Sequence, residues 1–226
     1  SMEWTYGEDR QYCHVVSNSS VPALEDAVNM NPFQSLVKNP RPHSDFEYLP
    51  DTVLYLPAVI TGCKQGATTS IRTSDVSKVE NHSSELSSLG LHHKISVNHD
   101  TEHTVFRFTA DEELLNRIDY REEDRAFGRF LGVPEEDNKW YNEADMPSID
   151  EATPILEYLG VEQPEGLKYA RLVSWICRPT MDGLGRTIST GLEYYNLAVE
   201  LQEKHGYDNP LKWCEDEFDR LEGYWY

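Results

Sequence analysis

The chain has 226 residues and carries 40 Asp and Glu against 20 Lys and Arg, a formal net charge of −20 at pH 7. Because phosphate binding needs clustered Lys and Arg, this balance argues against a nucleic-acid partner held by a broad basic face. Hydrophobic residues make up 38 % of the chain, which favours a folded core over disorder. No apolar stretch approaches the roughly 18 residues of a membrane span, so we expect no membrane partner.

The acidic excess indicates the solvent in which the protein is stable. A surface of this charge repels itself, and the Debye length falls from roughly 8 Å in ordinary salt to roughly 3 Å at about 1 M. Arg outnumbers the more strongly hydrated Lys by twelve to eight. The pattern favours a salt-adapted protein; an acidic protein of ordinary salt is the alternative.

The acidic residues are concentrated in the second half of the chain. Residues 1–110 contain 13 acidic and 8 basic side chains, whereas residues 111–226 contain 27 and 12. We predict a single α+β domain over residues 1–226, with a β-rich N-terminal half that includes an antiparallel hairpin and a mostly helical C-terminal half. Any subdivision is expected between residues 110 and 111.

The cysteine pattern bears on the cellular compartment. Four widely spaced cysteines form no CxxC pair, and the chain shows no secretion signal at its start. Reduced thiols and a cytoplasmic location are therefore expected.

The first predicted elements are two short helices in residues 21–38, where Pro22 and Pro32 suit first helical positions. The apolar run of residues 53–60 predicts a strand, and Pro57 places that strand at an edge or a bulge. Residues 61–70 are mostly small, which predicts a loop after the strand.

A hairpin is predicted over residues 93–108, with residues 99–102 as its four-residue loop and Asn98 opposite His103. This register produces one apolar face and one polar face. The apolar face contains His93, Ile95, Val97, Thr104, Phe106 and Phe108, and the polar face contains Lys94, Ser96, Asn98, His103, Val105 and Arg107.

Helices follow the hairpin. Thr109 and Glu112 have the spacing of a capping box, and Gly132 and Pro134 separate this first helical region from an acidic helix. A short helix is expected near residues 154–159. The last two helices are predicted from apolar stripes, which contain Leu184, Ile188, Leu192, Tyr195 and Val199 in one and Leu211, Cys214, Phe218 and Leu221 in the other.

Residues 127–137 read as a helix, then Gly-x-Pro, then an acidic helix. This order resembles segments of uncharacterised haloarchaeal proteins. The resemblance covers under a tenth of the chain, and it implies a salt-loving source and no particular activity.

The first candidate site lies in the hairpin loop. His99, Glu102 and His103 match the letters of H-x-x-E-H, in which two histidines bind zinc and the glutamate acts as a base. That motif works on a helix, whereas these residues are predicted in a turn. A solvent-exposed turn is therefore the main interpretation, and a zinc site with His99 and His103 as ligands and Glu102 as catalytic base is the alternative.

The second candidate is the small-residue loop that contains Cys63 and Lys64. Its backbone N–H groups could approach an anion with Lys64 adding charge, and Cys63 could act as a nucleophile. A structural loop with an inert thiol is the alternative.

The third candidate pairs Arg178 with Arg186 in a Pro- and Gly-containing turn before a long helix. Two arginines beside a helix N-terminus are typical of an anion or carboxylate site. They are equally suited to internal ion pairs with nearby Asp or Glu.

No complete catalytic constellation is visible in the sequence. We therefore favour a non-enzymatic binding or regulatory protein whose partner is a protein or a small anionic ligand. The enzymatic alternatives are a metal-dependent hydrolase at the hairpin turn and a small-molecule enzyme that uses Cys63 with an arginine anion site.

Salt adaptation predicts that lowering KCl from about 1 M to about 0.1 M loosens the fold, because repulsion between acidic side chains is then less screened. Far-UV circular dichroism and the melting temperature measure the change. Sorbitol at matched osmolality should not restore the lost signal. Undiminished stability at low salt would contradict salt adaptation.

Overall fold

The computed structural model describes residues 5–6, 11–18, 20–38, 52–116, 124–143, 166–173 and 180–224. Their contacts group the chain into two compact units, Ser1–Asp119 and Tyr120–Tyr226. The first unit contains an antiparallel sheet and the second is helical, which confirms the predicted α+β class. The prediction of a single domain stays a prediction.

The N-terminal unit is built on a five-stranded antiparallel sheet with the strand order β1-β2-β4-β5-β3. Its strands are β1 (Thr5–Tyr6), β2 (Gln11–Val16), β3 (Gly66–Ile71), β4 (His92–Asn98) and β5 (His103–Thr109). Its helices are α1 (Leu24–Ala27), α2 (Asn31–Phe33), a π-helical segment (Gln34–Lys38), α3 (Thr52–Thr61), α4 (Val76–Ser88) and α5 (Glu112–Asn116). The two helices predicted in residues 21–38 are thus confirmed, with Pro32 in the first turn of α2. The predicted place of Pro22 is wrong, because α1 begins at Leu24 and Pro22 precedes it.

The β4–β5 hairpin has the predicted register. Asn98 lies opposite His103, and Ile95 lies opposite Phe106. All six residues of the predicted apolar face are buried, so this face is called the core face below. The other side of β3, β4 and β5, which carries His103, is called the polar face.

Helix α4 covers the core face. Its start is capped by Asp75, whose carboxylate accepts hydrogen bonds from the backbone N–H groups of Ser77 and Lys78. These bonds lower the pKa of Asp75. Further along the helix, the His82 ring lies edge-on to Phe106 with a centroid separation of 4.5 Å.

The strand predicted over residues 53–60 is wrong, because these residues form helix α3 with Pro57 inside it. Every residue from 52 to 60 is buried. A continuous apolar run fits a buried helix as well as a buried strand, and periodicity cannot separate the two when every side is covered. The predicted loop is corrected as well, since β3 begins at Gly66 and leaves a short turn after α3.

The described elements of the C-terminal unit are all helical. They are α6 (Asp124–Leu131), α7 (Glu135–Glu143), a 3-10 helix (Leu167–Leu172), α8 (Met181–His205) and α9 (Asn209–Tyr224). Gly132 ends α6 with a φ of +83°, as predicted, and Gly206 ends α8 with a φ of +73°. The helix predicted near residues 154–159 lies outside the described residues.

Two helix details differ from the predictions. The Asp111 carboxylate accepts the N–H of Glu113 in the first turn of α5. The Thr109 hydroxyl accepts the N–H of Asp111, outside the helix, and donates to the carbonyl of Gln65. In α8 the buried stripe contains Leu184, Thr187, Gly191, Tyr194, Leu197, Ala198 and Leu201. Leu192 is instead 39 % exposed. Helix α8 buries Gly191 where the 3-10 helix packs closely against it. A search for large apolar residues at helical spacing does not find such a position.

Gly191 and Gly185 provide a matched test of this close packing. A Cβ at Gly191 would overlap the carbonyl oxygen of Tyr169, whereas a Cβ at Gly185 meets nothing within 4 Å. We expect Gly191→Ala to lower the free energy of unfolding by about 2 kcal/mol or more and Gly185→Ala to raise it by about 0.5–1 kcal/mol. Urea unfolding measures both, and equal effects of the two substitutions would contradict the packing.

Candidate functional site

A cavity of about 450 Å³ opens at the turn end of the β4–β5 hairpin. The described residues that line it are Arg72, Thr101, Glu102 and His103, and this site is called the hairpin cavity below. Two separate segments supply them. Arg72 directly follows Ile71, which pairs with Thr104, so the end of β3 brings the Arg72 guanidinium beside the turn.

The hairpin turn is held by its own side chains. The Asn98 carboxamide oxygen accepts hydrogen bonds from the backbone N–H groups of Asp100 and Thr101 at 3.0 and 3.2 Å. Glu102 then adopts a φ of +51°. Among the described non-glycine residues, Glu102 alone has a positive φ. A left-handed residue other than glycine costs about 1–2 kcal/mol. The turn therefore presents Glu102 at the cavity in a conformation that glycine would adopt without strain.

The predicted metal ligands are only partly brought together. His103 and Glu102 line the hairpin cavity, whereas His99 is exposed and is not one of the described lining residues. The described part of the chain holds no group of three His, Cys, Asp or Glu side chains placed to bind a metal. The Arg72 guanidinium would also repel a divalent cation. The zinc site therefore stays a prediction.

The turn that carries Cys63 and Lys64 has the wrong polarity for an anion site. It follows the C-terminal end of α3, where carbonyl groups concentrate partial negative charge. The backbone N–H groups of Gly62 and Lys64 donate to the carbonyls of Val59 and Ala58. Both N–H groups are thus engaged by the helix end.

The Lys64 side chain also differs from the prediction. It is buried, and its ammonium lies 4.8 Å from the centre of the Tyr55 ring, where a cation–π contact stabilises it. Cys63 is half-buried and is absent from the described cavity lining. Lys64 is therefore not placed for anion binding as the sequence suggested, and the nucleophile role of Cys63 stays a prediction.

Arg186 forms the internal ion pairs that the sequence left as its alternative role. Its guanidinium lies 3.0 Å from a carboxylate oxygen of Asp137 and 3.0 Å from one of Glu136. Asp137 is fully buried, and its hydrogen bond raises the pKa of Arg186. These contacts join α8 to α7. Arg178 lies outside the described residues.

A buried serine–histidine pair escaped the sequence analysis. The Ser83 hydroxyl lies 2.6 Å from Nε2 of His93, and Nδ1 of His93 lies 2.9 Å from the carbonyl oxygen of Leu91. This is the geometry of a nucleophile beside its base. Both residues are almost fully buried between α4 and the sheet, so the contact satisfies a core histidine.

Sequence reasoning also missed Arg72 and Thr101 in the cavity. A signal for Arg72 existed, because Arg72 is the first residue after a short run rich in β-branched residues that ends at Ile71. Reading residues 61–70 as a loop concealed that strand end.

Comparison with protein-family descriptions, curated proteins and solved structures finds no match for this chain. Among the described helices, none combines the length and the hydrophobicity that crossing a bilayer requires.

The two described thiols, Cys63 and Cys214, are free but should differ in reactivity. Burial, with a smaller contribution from the neighbouring Glu215, raises the pKa of Cys214 to about 12, so little nucleophilic thiolate forms there. Cys63 is half-buried. At about pH 8, iodoacetamide should alkylate Cys63 well before Cys214, as read by peptide mass spectrometry. Denatured protein, which should be labelled at both cysteines, is the control. Equal labelling rates of the two cysteines in the folded protein would contradict the burial of Cys214.

Proposed function

We propose that the protein is a non-enzymatic binding protein that takes a small anionic ligand in the hairpin cavity. The observation that carries this proposal is the convergence of Arg72 and His103 from two chain segments on one cavity of about 450 Å³. That volume lies within the range of about 300–1,000 Å³ that is typical of small-molecule sites. The Arg72 guanidinium offers paired donors that match a carboxylate or phosphate.

The polar face supports an anionic ligand electrostatically. Lys94 and Arg107 lie directly opposite each other on this face, which also carries His103. None of its residues on β3, β4 and β5 is Asp or Glu, although the chain contains 40 acidic residues.

Binding is favoured over catalysis because, among the described lining residues, no hydrogen bond joins the Thr101 hydroxyl to Glu102 or His103 as a nucleophile and base would require. Cys63 is absent from its described lining, and the serine–histidine pair is closed inside the core. The small-molecule enzyme alternative requires Arg178, which lies outside the described residues. The hydrolase alternative requires a metal, and the described residues contain no group of three His, Cys, Asp or Glu side chains placed to hold one.

A small ligand is favoured over a docked protein. The exposed large hydrophobic side chains of the described chain are Val15, Val76, Met181 and Leu192, which are distributed over β2, α4 and α8. A partner surface is expected to present contiguous apolar area instead.

The proposal includes a salt-adapted, cytoplasmic setting. The acidic composition supports the first part, and the free thiols of Cys63 and Cys214 fit a reducing compartment. In such a protein, screening by salt weakens long-range repulsion of an anion, so that local donors determine whether it binds.

Arg72→Gln tests the proposal because it removes the guanidinium and keeps much of the side-chain length. We expect this variant to bind inorganic phosphate or propionate about fivefold to tenfold more weakly, since a partly exposed charged hydrogen bond is lost. Two-dimensional NMR titration at a salt concentration that preserves the fold measures the affinity.

Arg129→Gln is the matched control, because Arg129 is exposed in the other unit and pairs with Glu135. It removes the same charge and should leave the affinity unchanged. Unaltered binding in Arg72→Gln, or no binding of either anion to the unsubstituted protein, would overturn the proposal.

A further inference from the structure

We infer that the rings of Tyr169, Tyr195 and Phe218 form a binding site for the trimethylammonium group of a small molecule, and that the Lys168 ammonium occupies this site in the free protein. The three rings are called the aromatic triad below. All four residues belong to the C-terminal unit, so the inference is independent of the hairpin cavity.

The aromatic triad is assembled from three helices. Tyr169 belongs to the 3-10 helix, Tyr195 to α8 and Phe218 to α9. The ring centroids are separated by 5.3, 5.6 and 5.7 Å, so each ring contacts both of the others. All three residues are only partly buried. The triad therefore lies at the surface and not in a closed core.

A cation already lies on the aromatic triad. The Lys168 ammonium is 5.2 Å from the centre of the Tyr169 ring and 5.1 Å from the centre of the Phe218 ring. Both distances are within the roughly 6 Å over which a ring face attracts a cation. Within the described part of the chain, Lys168 forms no ion pair, although the sequence contains 40 acidic residues. The rings themselves therefore hold this ammonium.

Packing between the three helices fixes the position of the rings. A Cβ at Gly191 would overlap the carbonyl oxygen of Tyr169, so α8 and the 3-10 helix approach each other closely beside the triad. Arg171 and Glu217 connect the 3-10 helix to α9 through an ion pair of 3.9 Å. A surface that is rigid before a ligand arrives loses less freedom on binding.

The charge near the aromatic triad favours a cation over an anion. Burial raises the pKa of Tyr195, with smaller contributions from Tyr169 and from the Glu215 carboxylate. Glu215 is therefore close enough to the Tyr195 ring to act on its charge. The same carboxylate attracts a cation on the triad and repels an anion.

Lys168 is a replaceable occupant of the site. Its side chain is exposed, and a primary ammonium is strongly hydrated. A trimethylammonium group has no N–H donors, so it loses fewer hydrogen bonds to water when it contacts ring faces, and aromatic residues are its usual receptors. The exposed large apolar side chains of the described chain are dispersed over β2, α4 and α8, which favours a small molecule over a methylated partner protein.

Choline and its carbon analogue, in which a carbon atom replaces the nitrogen, have nearly the same shape, but only choline is charged. We expect choline to bind at least about threefold more tightly, because the ring faces attract only the cation. Two-dimensional NMR titration at constant ionic strength, with choline chloride replacing KCl, gives both dissociation constants. Equal affinities, or no binding of choline, would overturn the inference.

Lys168→Gln should tighten choline binding about threefold or more, because it removes the competing ammonium and keeps much of the side-chain length. Lys212→Gln is the matched control. Lys212 is an exposed lysine on α9, and among the described residues only Lys168 places its ammonium on these rings. The control removes the same charge from the same unit and should leave the affinity unchanged.

Phe218→Leu removes one ring and keeps an apolar side chain, so the preference for choline over its carbon analogue should fall to less than about twofold. Melting temperatures verify that each variant is folded, and Lys168→Gln, which changes an exposed side chain, decides the test if Phe218→Leu does not fold. If Lys168→Gln leaves the affinity for choline unchanged, or if Lys212→Gln raises it equally, the cation binds elsewhere and the inference fails. A folded Phe218→Leu variant that keeps the full preference would also contradict it.

Discussion

The register of the β4–β5 hairpin is the constraint on which the N-terminal unit depends. With Asn98 opposite His103, six side chains including Phe106 lie on the core face, where α4 covers them. Because side chains alternate along a strand, a shift by one residue would exchange the two faces. It would expose Phe106 and bury Arg107, and it would remove His103 from the cavity. The Asn98 carboxamide, which binds two N–H groups of the turn, stabilises both the core and the candidate site.

Helix polarity determines the chemistry of the turn after α3. A strand followed by a small-residue loop could approach an anion with free N–H groups, but a helix C-terminus presents carbonyl groups. The N–H groups of Gly62 and Lys64 therefore complete the helix end, and the Lys64 ammonium lies on the Tyr55 ring. The backbone N–H groups of Gly62 and Lys64 would be available to an anion after a strand, but after a helix they bind its terminal carbonyl groups.

Several basic residues in the described part of this acidic chain occupy specific positions in the fold. Arg186 neutralises the buried Asp137, and Lys94 and Arg107 lie opposite each other on the polar face. Arg72 is the basic residue that the structure places in the hairpin cavity beside Glu102. The acidic excess therefore affects how the surface is solvated, whereas the candidate site depends on the positions of a few basic side chains.

Local patterns in the sequence determined the hairpin, its register and the glycine that ends α6, because alternation and left-handed glycines depend on neighbouring residues alone. The tertiary structure alone decided that residues 53–60 form a helix, since a run buried on every side carries no periodic signal. It also decided the buried stripe of α8, where Gly191 is selected by the approach of the Tyr169 carbonyl. Of the cavity, Glu102 and His103 were identified from their motif, but Arg72 directly follows β3, a strand that pairs with β5 across more than thirty intervening residues. Contacts between segments so distant in the chain leave no local pattern, and for that reason only the folded chain shows which charges meet.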